Sequence, residues 1–534
     1  MSSSVSGQDG ASRCLLCSVG CPVRVMRAGP DQWLPDYVPH AGYAGLCGRG
    51  SVLVELLDHP DRLREAHRHT ERGREVLGLQ SAAREMAGAL RGADSAAVLV
   101  DGNWDVETVA SAGRFAAGLG AEWAVLVPPS DEALVRGLDS SGCRFVGPEA
   151  LAEADAMLIV GDPLATHPVA AHWILAAKKA RPRMPMLVLT DGGCVTADFS
   201  SAACQASPGA GLAAAVASIR TGAGADARRV AGWKEQLKAA KGAVIVLAPD
   251  SGRASVLALA SEAAALAKDV GAAVCPLTAY GNAWGAMRAA SAGGATTVEG
   301  ILRDPPEALL VIGADLESAL APQAVEAALG GVLTLVYVGP MPNQTSRRAG
   351  LVIPAAFAFE QPGRVLLGPG REVALEPLLA PPAGVPTVRE ALTAAGAAAR
   401  AEKTDVSAPV ASASAPPTNG RARGEGLLVR PAGDPIHFAD GSLTRACRWP
   451  MAVLGRPVLV LSEADAEAAG LGDGRTAVVR GPGGRAEAVV ETRPDQRPGQ
   501  GRVSAAFPAL RSVFGWELGA ADAYEAVRVQ VGKA

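Results

Sequence analysis

From about residue 95 to residue 340 the chain alternates short β-branched runs with Ala-rich stretches of helical character, and few folds accept that pattern. Strands are predicted over Ala97–Val100, Ala124–Val127, Met157–Val160 and Met186–Leu189. A second set is predicted over Ala243–Leu247, Ala272–Cys275, Leu309–Ile312 and Leu333–Val338. Alternation of such strands with helices is the mark of a parallel α/β fold. The sets also share a sequel, since a strand leads into Gly161-Asp162 in one and into Gly313-Ala314-Asp315 in the other. Two Rossmann-like units folded around one another are therefore expected, with ligands at the carboxyl ends of their strands.

The flanks differ in character. A helix is predicted around Val52–Leu63, closing an N-terminal segment. Residues 403–425 are Ser, Ala, Pro and Gly without apolar periodicity and read as a linker. Beyond it, Val458–Leu461, Thr476–Arg480 and Ala486–Glu491 are short strand candidates separated by Gly-rich turns, and Ser462 opens a short helix that ends at Gly470. The expected domains are 1–75, 76–400 and 426–534, with a linker over 401–425. A chain of 534 residues with 49% hydrophobic residues has enough apolar material for several cores. Its net charge of −4 provides no basic field for nucleic acid. No run of about 18 apolar residues occurs, so no membrane span is expected. The first residues show neither a charged region before an apolar stretch nor a twin arginine, which points to the cytoplasm, with any membrane association made through partners.

Four of the nine cysteines lie together near the N-terminus: Cys14, Cys17 and Cys21 on one short loop, and Cys47 in a Gly-rich turn. Thiolates spaced in this way can hold three corners of a [4Fe–4S] cube, and a distant fourth closes it. A zinc site is the competing reading, although zinc normally draws on two similar C-x2-C knuckles. Cys143, Cys194, Cys204, Cys275 and Cys447 show no pairing logic and read as small buried apolar residues. No disulfide framework is visible, which suits a reducing compartment. Walker loops, H-E-x-x-H and Ser–His–Asp arrangements are absent, and Gly161-Asp162-Pro163 is not the dinucleotide fingerprint.

With these segments in order, the chain resembles the molybdopterin-dependent oxidoreductases, the family of formate dehydrogenases, periplasmic nitrate reductases and the large iron–sulfur subunit of NADH:quinone oxidoreductase. The resemblance rests on the cysteine quartet, on Gly161-Asp162-Pro163 with Thr166-His167-Pro168-Val169, and on the Y-G-N-A-W-G-A run from Tyr280 to Ala286. Further support comes from Val352–Ala356 with Glu360–Gly363 and from the H-F-A-D-G-S-L-T-R run from His437 to Arg445. It implies an α/β protein with an N-terminal Fe–S segment, two Rossmann-like units and a C-terminal double-psi β-barrel. It also implies a [4Fe–4S] cluster on the four cysteines and a molybdenum or tungsten bis(molybdopterin guanine dinucleotide). Arg49 takes the place of a lysine that the family often sets between cluster and pterin, a surface arginine being the alternative. His167, His437, Ser442, Thr444 and Arg445 match cofactor-contacting positions, ordinary turn residues being the alternative.

The departures from the family are equally informative. Its active members place a metal ligand in the interval that here has shrunk to Pro128–Gly147, where Cys143 reads as incidental. The acidic–Pro–Arg trio is replaced by Thr190-Asp191-Gly192, and the carboxylate of the Pro-Gly-x-Asp motif is lost at Pro208-Gly209-Ala210-Gly211. The expected role is thus an electron-transfer subunit with a degenerate metal site. Its partners would be other redox subunits: a flavin or Fe–S protein, or hydrogenase- or quinone-linked subunits. The alternative is a catalytic Mo/W enzyme acting on formate or a related C1 substrate.

Overall fold

The computed structural model describes residues 12–29, 32–36, 42–43, 45–206, 211–250, 252–396, 404–412, 425–514 and 525–534. Twelve strands in chain order build its two main sheets. They are β1 (Ala66–Thr70), β2 (Gly73–Leu77), β3 (Ala96–Asp101), β4 (Glu122–Leu126), β5 (Ala156–Gly161) and β6 (Met186–Thr190), followed by β7 (Ala202–Gln205), β8 (Ala243–Ala248), β9 (Ala273–Pro276), β10 (Ala308–Ile312), β11 (Thr334–Gly339) and β12 (Leu351–Pro354). The central strands are apolar and buried along their whole length because helices cover both faces.

The seven-stranded sheet runs β2-β1-β12-β11-β10-β3-β4, and the five-stranded sheet β7-β6-β5-β8-β9. Each therefore takes strands from both of the sets seen in the sequence, so the two units are folded around one another and neither set forms a sheet alone. β10 pairs in parallel with β3, and β8 with β5. Hydrophobic patterning cannot choose between such neighbours, because fully buried strands look alike from the sequence. The connections run outward in opposite directions from β3 and β10, and again from β5 and β8. Each sheet thus has one point where strand order reverses, and such points leave a crevice at the carboxyl ends of the strands.

Helix ends follow local chemistry. Asp105 caps the helix Val106–Leu119 by accepting from the Thr108 amide at 3.0 Å, and left-handed Gly120 ends it. The N-terminal helix spans Gly48–Leu57 rather than Val52–Leu63. Pro60 explains the early stop, since it lacks an amide proton and disfavours helical backbone at His59.

The C-terminal region is a closed six-stranded barrel. Its strands in chain order are β13 (Leu427–Ala432), β14 (Val458–Leu461), β15 (Thr476–Gly481), β16 (Gly484–Thr492), β17 (Gln500–Ser504) and β18 (Val527–Lys533). The expected helix after β14 is present as Glu463–Ala468, with Ser462 accepting from the Asp465 amide. Residues 404–412, within the stretch read as a linker, pack against the sheet domain. Val406 and Val410 are buried, the Val410 amide donates to Asp139, and Arg288 donates to the Val406 carbonyl. Two valines four apart gave no recognisable period in that composition, and the buried Arg288–Asp139 ion pair that receives them comes from distant parts of the chain. Residues 401–403 and 413–424 lie outside the described set.

Candidate functional site

The short strands Ser12–Arg13 and Pro22–Val23 pair in antiparallel register, and the Cys14 amide donates to the Cys21 carbonyl at 2.9 Å. The three clustered cysteines therefore sit on one closed loop. Gly20 takes a φ of 66° there, and a side chain at that position would collide with Leu367. Cys47 is the N-cap residue of Gly48–Leu57, and the start of a helix favours a thiolate. Cys14, Cys17 and Cys21 are buried and Cys47 half-buried. Burial pushes the Cys17 thiol up to about 11 and raises Cys14 and Cys21 as well. Charge on neighbouring thiols adds to the rise, with Cys17 and Cys47 acting on Cys14, Cys47 on Cys17, and all three others on Cys21, so the four lie within electrostatic reach of one another. Arg49 opposes the shift at Cys14 and Cys17. Among the described residues no group of three or more His, Cys, Asp or Glu side chains has the arrangement of a metal-ion site. The donor set nevertheless fits an iron–sulfur cluster, because buried thiols held up by desolvation and mutual repulsion ionise when a cationic centre binds them.

Arg49 is buried and donates to the Thr166 carbonyl, so it bridges the cysteine loop and the Thr166–His167 turn. His167 is also buried. Its Nε2 faces the Thr278 carbonyl at 2.9 Å and its Nδ1 the Thr166 hydroxyl at 2.9 Å. A carbonyl only accepts, so Nε2 carries the proton. Burial lowers the ring to about 3, with Arg49 adding to the effect, and keeps it neutral. His167 positions backbone and has no ring nitrogen left for a ligand.

The residues 278–282 join these parts. Ser18 and Thr278 exchange two hydrogen bonds, and the Gly281 amide donates to the Leu15 carbonyl at 2.9 Å. A Cβ at Gly281 would lie 2.7 Å from Leu15 Cα, so only glycine allows this approach. Asp131 accepts from the amides of Ala279 and Tyr280 at 2.9 and 2.8 Å. The Tyr280 hydroxyl donates to Asp101, the last residue of β3, and its ring stacks on Phe438 from the barrel. Burial pushes both Asp101 and Asp131 up to about 7. Tyr280 borders two cavities, one of 220 Å³ that reaches Pro128, Arg253 and Asp440, and one of 70 Å³ lined by Asp101, Trp104, Phe438 and Ser442. This is the first crevice, at the reversal between β3 and β10.

The barrel run His437–Arg445 divides in two. His437 and Thr444 are buried and hydrogen-bonded to each other at 3.0 Å, and His437 also meets the Leu454 carbonyl. They shape the turn, whereas Ser442 lines the smaller cavity and Arg445 donates to Ser318 in reach of Asp315 and Asp440. Cys143 packs against the helix Arg253–Val270, its thiol 3.6 Å from the Ala264 carbonyl. Sequence reasoning gave Asp101 and Asp131 no role and took Asp315 and Asp440 only as members of longer runs, because an isolated aspartate looks the same at a surface turn. For Asp101 and Asp131 the available signal was position, at the end of a strand and in the shortened interval.

The second crevice lies between β5 and β8. Asp191 and Asp250, beyond β6 and β8, hold Arg430 of β13 at 2.7 and 2.9 Å. Asp162, after β5, accepts from the Thr196 hydroxyl and from the Val195 and Thr196 amides. Gly211 opens the helix Gly211–Thr221 and provides no carboxylate, while Pro208, Gly209 and Ala210 lie outside the described residues.

No protein-family model matches the chain, and no curated protein matches it. Among solved structures, acetylene hydratase from Pelobacter acetylenicus superposes with a TM-score of 0.71, covering 98% of this chain and 100% of that one at 13% identity. The likeness is one of fold. It spans the N-terminal segment, both sheets and the barrel alike.

Proposed function

We propose that this chain is an iron–sulfur subunit of the molybdopterin-oxidoreductase type that passes electrons within a multi-subunit redox complex. The fold shared with acetylene hydratase supports that type at the level of fold. The observation that supports the electron-transfer role is the mutual electrostatic influence of Cys14, Cys17, Cys21 and Cys47, most of them buried, beside the buried Arg49. A [4Fe–4S] cluster bound there supplies one-electron storage. The chain's own residues shield it: Leu15 and Leu16 bury the loop, Arg49 offsets thiolate charge, and Ser18 with Gly281 fixes the loop to the 278–282 turn. The lack of a recognisable metal ligand in Pro128–Gly147 and of a carboxylate at Gly211 favours transfer over catalysis. A cluster with no second redox centre among the described residues needs a donor and an acceptor elsewhere, which favours redox partner subunits. Among the described residues no helix is long and apolar enough to cross a membrane.

The cavities at Tyr280 favour a second reading, in which the first crevice serves a Mo/W enzyme acting on formate or a related C1 substrate. Metal analysis after anaerobic purification separates the two. About four iron per chain without molybdenum or tungsten supports the subunit reading. Stoichiometric molybdenum or tungsten with formate-dependent dye reduction overturns it.

A further inference from the structure

The features that a doubly wound sheet offers a dinucleotide are polar groups at the carboxyl ends of strands and the N-terminus of the next helix. In the second crevice the barrel engages each of them. Arg430 and Arg502 are direct partners on the parallel strands β13 and β17 and both face the sheet. Arg430 is 5% exposed and bonds Asp191 and Asp250, and the Gly433 amide donates to the other oxygen of Asp250 at 3.2 Å. Arg502 donates to the Gly193 carbonyl at 2.8 Å. Gly192 and Gly193 bring the loop after β6 against the barrel: a Cβ at Gly192 would sit 3.1 Å from Arg502 Cδ, and one at Gly193 would collide with Asp495. The helix after β8, Arg253–Val270, would be the phosphate-binding terminus. Its first turn already receives a carboxylate, Glu525, which bonds the Ser255 hydroxyl at 3.0 Å and its amide at 3.4 Å.

We propose that the chain itself occupies the second crevice: Arg430 and Arg502 stand at the strand ends and Glu525 at the helix terminus, so this crevice takes no dinucleotide and fastens the barrel to the five-stranded sheet. An arginine held by the buried Asp191 and the partly exposed Asp250, and a helix start already carrying a carboxylate, leave neither charge for an incoming pyrophosphate. The proposal rests on the reading of a degenerate cofactor site but fails separately from it, because the iron content of the cysteine loop is measured independently.

The test is hydrogen exchange on the full-length, cluster-loaded chain, followed at residues 191–195 and 252–256. The expected result for the wild type is no change in either segment with GDP at about 1 mM, a level that reveals all but the weakest binding. Arg430→Met should speed exchange of both segments at least tenfold, with iron per chain unchanged. Arg430→Lys, which keeps the charge but not the fork that spans two carboxylates, should fall between them and provides the readout if Arg430→Met does not fold. Protection of both segments by GDP in the wild type, lost in Arg430→Lys, would make these residues nucleotide ligands and overturn the proposal. Unchanged exchange in the variants would overturn it equally. Loss of iron in the wild type would instead count against the subunit reading.

Discussion

The two crevices have the same architectural origin and opposite contents. Each lies where strand order reverses, at the carboxyl ends of parallel buried strands. In the first, carboxylates gather: burial raises Asp101 and Asp315, the charge of Asp440 adds to both shifts, and two cavities meet at Tyr280. In the second, Asp191 and Asp250 are matched by Arg430, and Arg502 lies beside it. A doubly wound sheet thus offers a place for a ligand without obliging the chain to leave it open. What fills the place depends on the side chains that the adjoining domain presents.

The largest effect is expected next to the first crevice. Cys47→Ser should lose most of the iron and the broad absorption near ~400 nm, since a cube needs all four thiolates. Gly281→Ala should do nearly the same without touching a thiol, because its Cβ would push Leu15 and the cysteine loop away. Iron analysis of the two variants checks this. Full iron in Gly281→Ala would show that the cysteine loop is held independently of the crevice.

A stability difference between the crevices comes next. Arg430→Met leaves the buried Asp191 without its cation and the partly exposed Asp250 without one of its partners, and removing one partner of a buried pair costs about 3–5 kcal/mol. The double variant Arg430→Met/Asp191→Leu should recover part of that loss, because apolar replacement of a buried pair is often close to neutral. Asp101→Asn in the first crevice should cost little at pH 8 and can stabilise there. Denaturant titration that ranks Asp101→Asn as the more damaging change would reverse the comparison.

The pH dependence separates them further. Burial raises Asp101 and Asp131 to about 7, above the unfolded carboxyl value. The native state then binds more protons than the unfolded state between about pH 4 and 7, so stability falls as pH rises through that window. The slope approaches ~1.4 kcal/mol per pH unit for each group. Asp101→Asn should flatten it, and Arg430→Met should leave this component in place. Melting curves at pH 5, 6 and 7, each about one unit apart, test the sign.

The smallest effect is expected for Ser442→Ala. Ser442 lines the smaller cavity and its amide already donates to Asp440, so stability should change by no more than about 0.5 kcal/mol. A larger loss would mean that the hydroxyl has a structural partner in the first crevice.

Much of the secondary structure was legible because it is local. β14 begins and ends where its apolar run does, and the central strands of both sheets fall within a residue or two of their predicted limits. The four cysteines stand out by spacing alone. The buried roles of Arg49 and His167 did not, because each is defined by a carbonyl or hydroxyl from another part of the chain: Thr166 for Arg49, Thr278 for His167. Residues 404–412 looked like a linker for the same reason, since the groups that bury Val406 and Val410 lie far away in sequence.

The sequence by itself determined the alternation of strand and helix, the loop that carries the thiols and the glycines that let backbones approach, because these depend on neighbours a few residues apart. Tertiary structure alone decided which strands share a sheet. It also decided which aspartates burial pushes up and which are held by arginine, because desolvation and charge pairing depend on what comes to lie beside a group in space.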